Sequence, residues 1–245
     1  MARINVLADT DLSAPTLIEG LPGIGLVGKI AVDHLIEEFG MTHYANVHCD
    51  GVPRVVVYQE GDSELTPPIR LYADPEHDLL ALQSDVPISP QAAREFAECI
   101  AGWYDERSIT PLFLSGLPAE KDENPPALTG VASGDTEGLL REAGIDVPNE
   151  TGLVSGPTGA LLAHAVETDR DAMGLIVESD PQFPDPEAAR IIITEGIQPL
   201  TGVEVPVDDL VDHAEEIREA KQNLAERMQQ ADEESSQARP LRMYQ

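Results

Sequence analysis

A glycine-rich segment near the start of the chain carries the spacing of two kinds of phosphate-binding loop. It reads LPGIGLVGK, and its candidate residues are Gly23, Gly25, Gly28 and Lys29. The glycines form G-x-G-x-x-G, a pattern that lets the backbone of a dinucleotide-binding loop approach a pyrophosphate. Residues 23–29 also form G-x-x-x-x-G-K, in which the lysine of a nucleoside triphosphatase contacts the phosphates. The segment is therefore a candidate site for a nucleoside or nucleotide.

Each nucleotide pattern lacks part of what its chemistry needs. Asp50 lies 22 residues after Gly28, close to where dinucleotide-binding proteins carry the acid that binds the ribose. Asp50 also begins the turn-forming segment DGVP after Cys49, where any loop could carry an acid. Pro22 enters the turn just before the first glycine, and Ile30 stands where a triphosphatase needs a hydroxyl for Mg²⁺. We therefore favour a tight strand-to-helix turn whose glycines allow positive φ and close packing. A ligand site in this loop is the alternative.

Other reactive residues form no recognisable catalytic or metal-binding pattern. Ser155 lies in a second glycine turn, SGPTGALL, which lacks the G-x-S-x-G of hydrolases. This turn could present backbone N–H groups to an anion, although a repeated strand–turn–helix unit is the favoured interpretation. His43 and His48 are five residues apart on a predicted strand and would face opposite sides. We predict no catalytic residue, no metal and no cofactor, and therefore a protein that is not an enzyme.

The last three residues are a sharper signal. Met243, Tyr244 and Gln245 place a hydrophobic residue and a tyrosine before a free carboxylate. Two interpretations are open from these residues alone: an element that docks on a partner, or a frayed end without a role.

The glycine loop must be held by a strand before it and a helix after it. Apolar periodicity predicts that helix from about residue 26 to 39, and a second helix at 89–107 with Ser89 as N-cap. The strands predicted in this half are 16–19, 42–49 and 53–60, followed by IRLYAD and DLLALQSD.

The second half repeats the alternation. ITPLFLSG predicts a strand, LPAEKDENPPALTG an exposed proline-rich loop, and 151–170 a strand, a glycine turn and a helix. A buried strand at 172–179 and a helix that begins at Pro186 follow. Strands alternating with helices predict an α/β domain with a parallel or mixed sheet flanked by helices.

The C-terminal part differs from this domain. Residues 206–234 predict a long charged helix with a thin apolar stripe, suited to docking on a domain or a neighbouring subunit. The predicted organisation is therefore a domain at 1–205, a helix at 206–234 and a flexible tail at 235–245. The stripe repeats every seven residues at Leu210, Ile217, Leu224 and Ala231.

The charge limits the partners. The chain has 45 acidic and 15 basic residues, a net charge of −30 that would repel phosphate backbones and anionic lipid. Nucleic acid and membrane partners are therefore not expected. The acids are spread evenly and lysine is rare, which favours adaptation to a cytosol of very high salt over an acidic interaction tail.

The cysteines and the N-terminus predict a cytoplasmic protein. Cys49 and Cys99 are the only cysteines and lie far apart in sequence, so we expect buried free thiols in a reducing compartment. The first residues lack the apolar core of a signal peptide, and no apolar run is long enough to span a bilayer.

Several segments, in this order, together resemble the archaeal proteasome assembly chaperone family. They are EGLPGIGLVGKIAVDHLI, LQSDVPISP, LFLSGLP, GLVSGPTGALL and ESDPQFPDPEAA, and the resemblance covers roughly residues 15–205 and extends into the terminal helix. It implies an α/β fold similar to nucleoside phosphorylases, without known catalysis, which would explain why the glycine loop imitates a nucleotide site.

The resemblance also implies a partner. Family members bind the proteasome core particle through its α subunits without ATP, and some end in a hydrophobic-Tyr-X tail that docks in pockets of the α ring. Met243, Tyr244 and Gln245 match that tail position by position. A homo-oligomer is expected, because several weakly binding tails gain affinity together. Assembly chaperone and gate-opening activator both remain open, since both use the same tail.

Overall fold

The computed structural model describes residues 3–58, 63–105, 107–119 and 125–210. Over these ranges the fold is one eight-stranded mixed sheet with helices on both faces. The strands are β1 (Arg3–Val6), β2 (Thr16–Gly20), β3 (Thr42–His48), β4 (Ile69–Asp74), β5 (Leu79–Ser84), β6 (Thr110–Pro118), β7 (Leu128–Ser133) and β8 (Ala172–Ser179).

The parallel strands form the centre of the sheet. The spatial order is β1-β3-β4-β5-β2-β6-β8-β7, with β5, β2, β6 and β8 parallel and the outer pairings antiparallel. Central strands are covered on both faces and therefore consist of nearly continuous apolar residues, as in LLAL of β5 and PLFL of β6.

Helices cover the two faces and divide the core into two layers. The helix α1 and the segment that begins with α5 pack on one face, and α2 and α4 pack on the other. The helices are α1 (Val27–Glu38), α2 (Ala93–Tyr104), α3 (Glu137–Glu142), α4 (Gly156–Glu167), α5 (Pro186–Ile191) and α6 (Gln198–Thr201), with a 3₁₀ turn at Ile24–Leu26 and a π-helical stretch at Ile192–Ile197.

The helices that follow or precede the parallel strands begin at one edge. α1, α2 and α5 follow β2, β5 and β8, and α4 runs back into β8, so all four N-termini lie where the parallel strands end. This carboxyl edge is where open α/β sheets place their functional loops. The glycine loop is one of the connections at this edge.

The predicted fold class is confirmed, and most predicted elements are present. The helix predicted at 26–39 is α1, the strand at 172–179 is β8, and the long helix at 89–107 is the shorter α2. Ser89 Oγ accepts a hydrogen bond of 3.3 Å from Ala92 N, just before α2 begins. The similarity to nucleoside phosphorylases stays a prediction.

Two predicted strands were wrong and two real ones were missed. The strand at 53–60 is reduced to one bridge, Val57 with Thr66, because β4 already pairs on both sides with β3 and β5; residues 59–60 lie outside the described ranges. The segment 151–155, before the second glycine turn, is irregular. The missed strands, β1 and β7, are short edge strands, and the end of the predicted proline-rich loop pairs with β8 as β7.

The expectation of free thiols was also wrong. Cys49 and Cys99 form a disulfide between the turn after β3 and helix α2, with Cα atoms 5.9 Å apart. The two cysteines are 50 residues apart in sequence, so only the packing of this turn on α2 brings them together. Gly51 permits this contact, because it has φ +84° and a Cβ there would lie 2.5 Å from Ala92 Cβ.

The predicted C-terminal helix is described only at its start. Residues 208–210 are helical, and Leu210 packs in the core layer of α1. The rest of the predicted helix and the tail lie outside the described residues. Within the described ranges, no helix is both long and apolar enough to cross a bilayer.

Candidate functional site

The glycine loop joins β2 to α1 and is packed tightly against the end of β8. Gly25 has φ +62°, and a Cβ at this position would overlap Ser179 Oγ, so both the backbone and the packing require glycine. Gly25 O also accepts a hydrogen bond of 2.8 Å from Asp185 N. The predicted turn glycine is therefore buried against the protein itself.

Asp185 contacts both the glycine loop and the end of β8. Its buried carboxylate accepts hydrogen bonds from Ser179 Oγ (3.2 Å), Asp180 N (3.0 Å) and Ala188 N (3.1 Å). The last of these caps α5, because Asp185 is its N-cap residue. Asp185 thus fixes the end of β8 and the start of α5 through its side chain, and the glycine loop through its backbone N–H.

The other two glycines differ from Gly25 and from each other. A Cβ on Gly28 would lie 3.3 Å from Glu19 O and 3.4 Å from Leu114 Cβ, so its small size lets α1 lie close to β2 and β6. Gly23 has φ −140°, and a Cβ there would meet no atom within 4 Å. Gly23 is therefore the one glycine of the pattern for which the described structure shows no steric need.

Lys29 is engaged by carboxylates. Its Nζ lies 2.7 Å from Asp33 Oδ2 and 3.2 Å from Asp85 Oδ1. Asp85 also pairs at 2.6 Å with Arg70, whose side chain is almost fully buried. Gln83 completes the ring, since it accepts from Arg70 Nη2 and donates to Asp33 Oδ1. The lysine of the G-x-x-x-x-G-K pattern therefore links α1 to Asp85 after β5 and, through Asp85, to Arg70 at the start of β4.

Glu19 is the functional candidate that the sequence analysis missed. Its carboxylate is fully buried and accepts hydrogen bonds from Leu21 N (2.9 Å), Leu114 N (3.2 Å) and Thr158 Oγ1 (3.2 Å). Burial raises its pKa to about 7, and these hydrogen bonds oppose the rise. The signal in the sequence was an acid in the otherwise apolar strand LIEG.

A hydrogen bond from Thr158 to Glu19 connects the second glycine turn to the strand that leads into the first. Thr158 lies in the first turn of α4 and donates to Glu19, whereas the N-cap residue Ser155 makes no capping hydrogen bond through its side chain. Gly156 has φ +70°, and a Cβ on Gly159 would overlap Val154 O. Both turns therefore show packing reasons for glycine, in line with the favoured interpretation of each as a structural turn.

The arrangement offers little to a dinucleotide. Asp50 follows β3, which lies three positions from β2 in the sheet, or about 14 Å at the usual strand spacing. The ribose-binding acid of a dinucleotide site would follow a strand next to β2. Buried carboxyls of Glu19 and Asp185 also lie beside the loop, where a phosphate would need positive charge.

The other predicted site residues are not tested by the structure. Met243, Tyr244 and Gln245 lie outside the described residues. Among the residues described, no group of three or more His, Cys, Asp or Glu side chains could hold a metal ion.

Comparison with known proteins gives relatives over almost the whole chain. An uncharacterised protein of Methanocaldococcus jannaschii is 29% identical over 222 residues, which cover 89% of each chain. The crystal structure of Pyrococcus furiosus PbaA, described as an archaeal homolog of proteasome-assembly chaperone, has a TM-score of 0.78 at 26% identity and covers 95% of each chain. Pyrococcus furiosus PbaB, described as an archaeal proteasome activator, shares the fold with a TM-score of 0.78 at 23% identity, covering 91% of this chain and 98% of its own.

The match to a family spans both glycine turns, the buried Glu19 and the start of the C-terminal helix. It covers residues 17–225, and the chain therefore belongs to the PAC2 family.

Proposed function

We propose that this protein is an ATP-independent proteasome assembly chaperone or core-particle regulator that docks its C-terminal tail in pockets of the proteasome α ring. The observation that carries the proposal is membership of the PAC2 family over residues 17–225. The similarity to PbaA, an archaeal homolog of proteasome-assembly chaperone, supports the proposal, and PbaB, an archaeal proteasome activator, shares the fold. In the proposed organisation the domain at 1–205 is the body, and 206–234 leads to the tail at 235–245.

Each residue of the tail has a distinct proposed role. Gln245 supplies the terminal carboxylate for a lysine in the pocket between α subunits. Tyr244 supplies a ring that is buried while its hydroxyl finds a partner, and Met243 supplies an apolar contact. The eleven residues from Ser235 to the end would reach up to about 35 Å when extended. Several tails on a homo-oligomer would bind together far more tightly than one.

A binding protein accounts for the groups at the glycine loop without catalysis. Gly25 packs on Ser179, and Lys29 is paired with two aspartates, so each has a structural role in the described fold. We therefore propose that the protein is not an enzyme. A cytoplasmic location belongs to the same proposal, and it requires the Cys49–Cys99 disulfide to persist in a compartment where such bonds are uncommon.

A pull-down with purified proteasome α subunits at multi-molar salt tests the proposal. We expect the full chain to bind and a chain that ends at Arg242 to lose most of its binding. Tyr244→Ala should have nearly the same effect, because it removes the ring from the pocket. Gln245→Ala is the matched control and should retain binding, since the main-chain carboxylate does the pairing.

The other outcomes are equally informative. Equal binding by the full and shortened chains would keep the partner and disprove docking by the tail. If neither chain binds α subunits, the proposal fails, and the nucleoside alternative should then be tested by thermal unfolding with nucleosides and nucleotides. Gly23 is the position to vary in that case, because a Cβ there would meet no described atom within 4 Å, so Gly23→Ala should leave the packing intact.

A further inference from the structure

The disulfide joins two segments that both carry acidic side chains. Cys49 lies in the turn after β3, and Cys99 lies in the middle of α2. Asp50 follows Cys49 directly, and Glu95 Oε2 of α2 lies 3.5 Å from where a Cβ on Gly51 would be. Carboxylates on the two sides of a contact repel each other, so charge opposes the packing of this turn on α2.

Few side chains of the connection between β3 and β4 add to this contact. Val52 is half-buried against the core layer of α2, whereas Val56 is 62% exposed and Tyr58 is 80% exposed. The backbone hydrogen bonds between Val57 and Thr66 join the connection to itself and not to α2. The start of the connection therefore depends on the disulfide for its place on the helix.

The bond can exchange with thiols in solution. Cys49 is 8% exposed and Cys99 is half-buried, so Cys99 is the more accessible of the two to an attacking thiolate. The thiolate of a small thiol attacks Cys99 Sγ, the Sγ–Sγ bond breaks, and Cys49 leaves as a thiolate that takes up a proton. A second small thiolate attacks the sulfur of the first, and Cys99 leaves in the same way. The chain gains two electrons and two protons, and the two small thiols are oxidised to a disulfide.

The proposed location also favours a bond that opens and closes. Disulfides are rare in cytosolic proteins, and those that form there are usually transient and act in catalysis or redox sensing. A permanent Cys49–Cys99 bond is at odds with this pattern, whereas a reversible one agrees with it. The inference rests on the cytoplasmic location in the proposed function and does not involve binding to the proteasome.

We propose that the Cys49–Cys99 bond is a redox switch that fixes or releases the start of the connection between β3 and β4. With the bond closed, the turn stays on α2. With the bond reduced, only the contacts of Gly51 and Val52 hold the turn against the repulsion of the acidic segments, so residues 49–58 move away from α2. The strand β3 keeps its place, because it pairs with both β1 and β4.

Hydrogen exchange followed by mass spectrometry tests the switch on the full chain. The oxidised chain is compared with the same chain equilibrated in a mixture of reduced and oxidised glutathione that is mostly reduced. Peptides that cover residues 49–58 should exchange at least about tenfold faster after reduction, because their amides open locally. Peptides of β8, which pairs with β6 and β7, should exchange at an unchanged rate.

Variants separate the bond from the thiol reagent and from charge. A chain with both Cys49→Ser and Cys99→Ser should exchange at residues 49–58 as the reduced chain does, with or without glutathione. Adding Glu95→Gln to it should slow this exchange several-fold, because one carboxylate facing the turn is lost. The effect should shrink as salt rises. Adding Glu142→Gln instead, at an exposed position of α3, is the matched control and should change nothing.

Three results would overturn the switch. A bond that stays closed in the mostly reduced mixture is a permanent structural link. A bond that opens without faster exchange at residues 49–58 holds nothing in place. Faster exchange in β8 as well would show that the bond stabilises the whole fold. The pull-down with α subunits depends on the tail and this experiment on the disulfide, so each proposal can fail while the other stands.

Discussion

Two connections leave the carboxyl edge of the sheet with opposite characters. The glycine loop carries a recognisable motif, yet Gly25 packs on Ser179 and Asp185 of its own chain. The connection after β3 carries no motif, yet it exposes Val56 and Tyr58. The difference teaches that a glycine pattern can mark where a protein packs on itself. An apolar segment without a pattern can remain largely exposed to solvent.

The glycine loop should be the part of the molecule most sensitive to a single methyl group. Gly25→Ala should lower the free energy of unfolding by about 2–5 kcal/mol, the combined cost of a Cβ in a left-handed conformation and of overpacking. Gly23→Ala should change it by less than about 0.5 kcal/mol, because a Cβ there is in open space. Denaturant unfolding of both variants at one salt concentration measures the contrast, and equal losses would remove our account of the loop.

The disulfide anchors the start of the exposed connection. Replacing both Cys49 and Cys99 by Ala should cost about 2–4 kcal/mol, because the bond closes a loop across a sequence separation of 50 residues. Thermal unfolding with and without a thiol reductant provides the measurement. The reductant should lower the melting temperature of the unmodified chain and leave that of the double variant unchanged. A melting temperature of the unmodified chain that does not respond would contradict this role.

Glu19 gives the glycine-loop region a dependence on pH. Its pKa is raised to about 7 from 4.5, so the folded chain holds a proton that the unfolded chain has lost between these values. Stability should therefore fall as pH rises from about 4.5 to 7 and then level off, by about 3 kcal/mol at most. The same curve for Glu19→Gln should lose this slope, and Glu204→Gln, at an exposed position, should keep it. An unchanged slope in Glu19→Gln would show that other groups cause it.

Local patterns predicted the central part of the fold well. The helix α1 and the strand β8 were found because each buries a continuous apolar stripe or run. The strand predicted at 53–60 was wrong because valine favours strands only where a partner strand is available, and β4 has both of its neighbours. Strand formation depends on distant partners, which a local pattern does not contain.

The candidate site also has a part that the sequence predicted and a part that it did not. The turn at Gly25 was predicted from spacing, because a tight strand-to-helix connection has a local signature. The contact of Glu19 with Thr158 was missed, because the two residues are 139 positions apart and meet only in the folded sheet. The same holds for Cys49 and Cys99, whose pairing follows from the packing of a turn on α2.

The smallest effect on folding should come from the exposed connection itself. Tyr58 is 80% exposed, so Tyr58→Ala should change the free energy of unfolding of dilute, monomeric protein by less than about 0.5 kcal/mol. Tyr104 is 2% exposed, and Tyr104→Ala should cost about 3–5 kcal/mol, as truncation of a large buried aromatic does. Denaturant unfolding of both variants at one salt concentration measures the contrast. If Tyr58→Ala costs as much as Tyr104→Ala, the side chain of Tyr58 is packed in the folded chain, and the two connections do not differ in packing.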